Sequence, residues 1–252
     1  MQLDPRIYDH PSVWRGPDMC RRDDWIVNLD AEDIRELEVE LASVRARGLG
    51  VPRLTQDDFH IPRVAAKLDG VREALENGRG FALVRGLPVQ RYTKADSALI
   101  YWGIGAQLGP GFAQNAQGDM LGHVRDVGAN WKTDMRARGY QTKFHLPFHN
   151  DSTDVVALLC LHQAKAGGAS RIVSSTAIHN EFAVRRPDLW QVMCEPFCVD
   201  RRDEESPGQK PWYVTPCFTR FEGRLFIRYN RTFIESAQRF PEVPRLTPAQ
   251  VE

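Results

Sequence analysis

A chain of 252 residues can bury a substantial core as one large domain or two small ones. Lysine plus arginine and aspartate plus glutamate balance at 33 each, so no global field draws the protein to nucleic acid or to an anionic membrane surface. No apolar run approaches a membrane span, and the opening MQLDPRIYDH has no signal-peptide core, so a membrane partner is not expected.

The N-terminal third alternates between strand and helix patterns. DDWIVNLDAEDIRELEVELASVRARG predicts a short strand, an Asp30 cap with Asp33 behind it, and an amphipathic helix. Ile34, Leu37, Leu41 and Val44 fall on one face of that helix, and Gly48 ends it. A second helix is predicted over 64–77, stopped by Gly78. GFALVRGLP, a short apolar run between Gly and Pro, predicts a buried strand. TKADSALIYWGIGAQLG predicts a further helix, capped by Thr93 and ending near Gly109.

Beyond Gly109 the texture changes. A loop-rich stretch gives way to short β-type runs at 155–162, 170–174, 212–219 and 225–229, with FEGR between the last two as a hairpin turn. Between these pairs, SSTAIHNEFAVRRPDL reads as a capped helix. An α-rich beginning followed by many short strands predicts an α+β protein built on a β-sandwich or small barrel. The five cysteines (Cys20, Cys160, Cys194, Cys198 and Cys217) form no paired metal-site spacing, and free thiols in a reducing cytoplasm are expected. At the C-terminus, Thr247 as N-cap and Pro248 at the first helical position announce a helix that breaks off at Glu252. The sequence therefore reads as one domain over 1–252, a fragment of a longer chain.

The chemistry is concentrated in KFHLPFHNDSTDVVALLCLH, residues 143–162, which holds three of the seven histidines. Side chains two apart on a strand share a face, so His149 and Asp151 can present an imidazole and a carboxylate to one point. With a second histidine they would form the facial triad that holds non-haem Fe(II). The bare spacing is weak, because chance supplies on the order of 0.5 matches in such a chain. By spacing alone, a polar strand end with a hydrogen-bonded structural His149 is the better account. The similar His179–Glu181 spacing lies in the predicted helix, where the two side chains diverge.

Context decides between them. FHND followed by LLCLHQAKAGGASRIVSS, with GFALVRGLP and WGIGAQLGP upstream and RRPDL downstream, resembles the taurine/2-oxoglutarate dioxygenase family of clavaminate-synthase-like Fe(II) oxygenases. The resemblance runs from about Gly80 to the end. It implies a double-stranded β-helix, or jelly roll, flanked by N-terminal helices. It implies Fe(II) and 2-oxoglutarate, with His149 and Asp151 as metal ligands and Ser170 on a 2-oxoglutarate carboxylate. Gly167 and Gly168 would allow the turn that delivers that hydroxyl. The reaction implied is oxidation, by default hydroxylation, of a small organic substrate by O2, with 2-oxoglutarate decarboxylated to succinate.

The same resemblance places a substrate loop at AQNAQGD, making Gln114 and Asn115 candidates, although such amides serve equally as turn formers. His145 is a further candidate, four residues before His149 with Pro147 between; Tyr140 and Arg231 are lesser ones. Trp102, Trp131 and Phe148 are expected in the core rather than the pocket. The family's distal histidine and its 2-oxoglutarate arginine have no counterpart here. Only His162 and His179 follow Asp151, one too early in the family order and one in the helix. The competing reading is a binding protein of the same fold with an incomplete metal site. A zinc hydrolase is disfavoured by the absence of HExxH. A homo-oligomer is left open.

Overall fold

A computed structural model describes residues 5–115, 117–130 and 137–252. Its N-terminal part opens with a single turn, α1 (Gly16–Met19), followed by β1 (Ile26–Asn28), α2 (Ala31–Ala46), α3 (Pro62–Glu76), β2 (Leu83–Arg85) and α4 (Lys94–Leu108). β1 and β2 pair in parallel, with Val27 opposite Val84. The predicted cap of α2 is a complete capping box: the Asp30 carboxylate accepts from the N–H of Glu32 and Asp33, and Asp33 accepts from the N–H of Asp30. α3 has no cap of its own, and Glu36 of α2 supplies one by accepting from the Arg63 and Val64 N–H groups at 3.0 and 2.9 Å. A carboxylate there also complements the positive end of the helix dipole.

These helices enclose one core around Leu37, Val44, Phe59, Val64, Leu68 and Ile100, all essentially inaccessible. α4 approaches it closely because Gly103 has no side chain; a Cβ there would stand 2.4 Å from the Phe59 ring. β2 departs from the expectation of a buried strand. Val84 packs on the core while Leu83 is 38% exposed, since a two-stranded sheet covered on one face buries only alternate residues.

The C-terminal part comprises α5 (Ser175–Arg185), α6 (Pro187–Met193), β3 (Pro196–Asp200), β4 (Trp212–Pro216), β5 (Phe218–Phe221), β6 (Arg224–Ile227), α7 (Arg231–Ala237) and α8 (Pro248–Val251). β3 pairs antiparallel with β4 and β5 with β6. The run expected as one strand over 212–219 is broken at Cys217 into β4 and β5. The FEGR hairpin forms as predicted, with Glu222 and Gly223 both at positive φ, 48° and 78°. Trp190, Phe197, Val199, Phe218 and Ile234 form the second core.

A single extended segment ties the two cores together. Tyr8 exchanges hydrogen bonds with the Asn180 side chain, its N–H donating at 3.0 Å and its carbonyl accepting at 2.8 Å. Arg15 pairs with Glu181 of the same helix. Trp14 turns the other way, donating to the Arg79 carbonyl at 2.9 Å and stacking edge-on against Phe81.

Of the expected double-stranded β-helix only small sheets are seen, within the mixed α and β content that was expected. The described residues form three two-stranded sheets and no closed barrel. The runs expected as strands at 155–162 and 170–174 carry no ladder, and Val155, Val156, Leu158, Ile172 and Val173 are exposed. Their β-branched, apolar composition favours a pleated surface, but a strand needs a neighbour for its N–H and C=O groups. Among the described residues no segment lies alongside to provide one.

Candidate metal centre

The segment from Lys143 to Val173 reaches the metal motif without regular structure. His149 is fixed locally: its Nδ1 lies 2.7 Å from the Pro147 carbonyl oxygen. A carbonyl only accepts, so Nδ1 carries the proton and Nε2 presents its lone pair outward. That Nε2 stands 3.8 Å from Asp151 Oδ1, with the imidazole one-third exposed and the carboxylate about half exposed. Two donors bound at about 2.1 Å to one ion can be at most about 4.2 Å apart and stand about 3.0 Å apart when cis on an octahedral ion, so this pair is close enough to share one metal once it draws in by less than about 1 Å. A histidine oriented by a backbone carbonyl through its other nitrogen is the usual support for a metal-ligating imidazole. An imidazole nitrogen and a carboxylate oxygen so placed are the donor types that suit the iron implied by the resemblance.

Asn150, between them, is the anchor. Its N–H donates to the Tyr229 carbonyl at 2.8 Å, its Oδ1 accepts from the Tyr229 N–H at 3.2 Å, and its Nδ2 lies 3.5 Å from Ser175 Oγ. Tyr229 is the second residue beyond β6, and between them the Arg228 N–H prolongs that hairpin by donating to the Cys217 carbonyl at 2.9 Å. The motif is thus seated on the end of the β5–β6 hairpin rather than within a strand of its own.

Beside Asp151 opens a small cavity of about 30 Å³, room for about one water molecule and continuous with solvent. Phe197, Val199, Phe233 and Ile234 give it an apolar floor, and Tyr213, Thr215, Asn230 and Arg228 a polar wall. Asn230 is partly committed to capping α7 through its side-chain oxygen, and Thr215 to the Pro216 carbonyl. Arg228 is the one lysine or arginine among the described residues lining the cavity. Sequence reasoning missed it. Its signal was the interruption of the apolar alternation in RLFIRYN by a cation just after the strand.

The other candidates are not brought to this point. Ser170 is exposed, although Gly167 and Gly168 before it do adopt left-handed conformations, φ 70° and 71°. Asn115 is a turn former: its Oδ1 accepts from the N–H of Gln117 and Asp119, and its Nδ2 donates to Asp119 at 2.7 Å. Gln114 is exposed and donates to the Phe112 carbonyl at 2.9 Å. His145 is exposed. Trp102 is half-buried on the first core, where its indole donates to the Leu54 carbonyl. Phe148, expected in the core, is 55% exposed, and Trp131 lies outside the described residues.

Neither later histidine joins the pair. His162 is exposed. His179 is buried in the second core, where the Trp190 indole N–H donates to its Nε2 at 2.9 Å, and Tyr8 and Phe218 stack edge-on against it. The lone pair a metal would need is already used, and burial pulls this imidazole below its ordinary pKa. Among the described residues no group of three His, Cys, Asp or Glu side chains converges.

Comparison with known proteins gives the family. The profile of the taurine catabolism dioxygenase TauD, TfdA family matches residues 46–250, and the chain belongs to that family. It is 35% identical over 227 residues to FR-33289 synthase from Streptomyces rubellomurinus, an alignment covering 89% of this chain and 67% of that protein. It is 27% identical over 224 residues to the taurine hydroxylase-like protein SAT17 of Stachybotrys chartarum, covering 86% of this chain and 57% of that one.

Proposed function

We propose that the protein is an Fe(II)- and 2-oxoglutarate-dependent dioxygenase that hydroxylates a small organic substrate, with His149 and Asp151 as two of the metal's ligands. The observation that carries this is the pair itself: Nε2 of a tautomer-fixed histidine and a carboxylate oxygen 3.8 Å apart, at the mouth of a cavity. Family membership supports the oxygenase class. Bound iron and 2-oxoglutarate supply the oxidising power for an unactivated C–H bond, with decarboxylation of the cosubstrate to succinate.

The chain's own residues bind and orient. The Pro147 carbonyl holds the His149 proton on Nδ1, leaving Nε2 free. The apolar floor of Phe197, Val199 and Phe233 excludes water from one side of the substrate, and Arg228 suits a substrate with an anionic end. Ser170 is the proposed hydroxyl for a 2-oxoglutarate carboxylate, delivered by the Gly167–Gly168 turn. Residues 1–252 are read as one domain, because the segment from Tyr8 to Arg15 joins both cores. Free thiols, and no helix among the described residues long and apolar enough to cross a membrane, support a cytoplasmic enzyme.

Anaerobic titration of Fe(II) with 2-oxoglutarate present tests the proposal through the visible charge-transfer band of the chelate. A band in the wild-type protein that disappears in His149→Ala is expected. No band at saturating Fe(II) and 2-oxoglutarate would overturn the reading and leave a metal-free binding protein of the same family.

A further inference from the structure

We propose that Asn150 is a positioning residue, which sets the register of the metal-binding pair by taking the place of a strand neighbour to Tyr229. The inference rests on the metal reading of His149 and Asp151. Among the described residues, the hydrogen bonds that tie residues 145–173 to the rest of the chain are those of Asn150 alone, two to the Tyr229 main chain and one to Ser175. The other polar contacts of this stretch among the described residues are internal to it: His149 to Pro147, and His149 to Asp151.

The two bonds to Tyr229 have the form of an antiparallel pair. In such a pair, opposite residues exchange N–H and C=O on both sides. Here the Asn150 main-chain N–H donates as usual, and its side-chain Oδ1 replaces the main-chain carbonyl in accepting from the Tyr229 N–H. One residue thereby makes the contact that a strand would spread over several. The partner is rigid, because Tyr229 packs on the second core and Asn230 caps α7 immediately after it. Both metal ligands sit one residue from this clamp, so rotation of the chain at Asn150 displaces both. Without the side-chain bond, a segment with no ladder of its own has one main-chain hydrogen bond left to hold two ligands in register.

The test compares Asn150→Leu, which keeps the approximate volume but removes the acceptor, with Asn150→Asp, which keeps an oxygen where Oδ1 stands. Mn(II) alone, titrated by calorimetry, reads the pair without turnover, and amide exchange at Tyr229 reads the clamp directly. Asn150→Leu should weaken Mn(II) binding about 10- to 100-fold and speed Tyr229 exchange, while Asn150→Asp holds wild-type affinity to within about threefold. Asn150→Ala gives the same comparison should the branched side chain prevent folding. Wild-type Mn(II) affinity in the Leu or Ala variant would overturn this inference alone. So would equal losses in the Leu and Asp variants with Tyr229 exchange unchanged. A wild-type protein that binds no Mn(II) would overturn the metal reading, and this inference with it.

Discussion

The region around α2, α3 and α4 and the stretch carrying the metal motif obey opposite physics. In the first, caps, helix faces and buried residues agree. Asp33 is fully buried, yet it accepts from Arg63 at 2.8 Å, pairs with Lys67 and closes the α2 capping box. In the second, residues 151–173 carry β-branched and apolar side chains that remain exposed. A helix satisfies its main chain from within four residues, whereas a strand depends on another segment. The difference shows that a fold can be complete where contacts are local and open where they must come from afar, and the His149–Asp151 pair lies in the open part.

Amide exchange would sharpen this contrast most. Core amides of α2 and α3 should exchange at least about a thousandfold more slowly than those of 152–173, which have no intramolecular acceptor among the described residues. Comparable protection in both regions would break the comparison. A paired substitution follows. Phe59→Ala should cost about 3–5 kcal/mol in denaturant unfolding, since its ring is wholly buried between α4 and the first core. Leu158→Ser, at 72% exposure, should change stability by less than about 0.5 kcal/mol.

A smaller effect in the second core depends on pH. Burial pushes the Asp200 carboxyl up, but Arg239 at 3.0 Å, the Ser236 hydroxyl and the Arg202 N–H together bring it below the ordinary carboxylate value. A depressed folded-state pKa contributes stability that is present above the unfolded value, near pH 4, and is lost as pH falls through the folded one. Asp200→Asn should therefore destabilise the protein at neutral pH by about 2–3 kcal/mol and flatten the loss of stability below about pH 4. An unchanged acid profile in that variant would show that Asp200 does not govern the second core.

Much of this was legible in the sequence. Asp30, Thr93, Ser174 and Thr247 all cap helices, because a cap is a contact between residues two or three apart. The FEGR hairpin was readable for the same reason, as was the His149–Asp151 pair, whose atoms are close because the residues are. Ser170, Gln114, Asn115 and His145 were carried over from a resemblance, and the structure does not gather them at the pair. Arg228 and Asn150 were missed because their roles depend on partners 79 or so positions away, as in the bond between Asn150 and Tyr229.

The sequence by itself determined α2, α3, α4 and the start of α8, the caps at Asp30, Thr93 and Thr247, the hairpin turn and the presence of one imidazole and one carboxylate at ligand spacing. All of these depend on neighbours along the chain. Only the tertiary structure decided that Nε2 of His179 is spent on an indole, and that the end of the β5–β6 hairpin seats the motif. A side chain's chemistry is set by which of its lone pairs and protons remain free, and that depends on partners the linear sequence does not name.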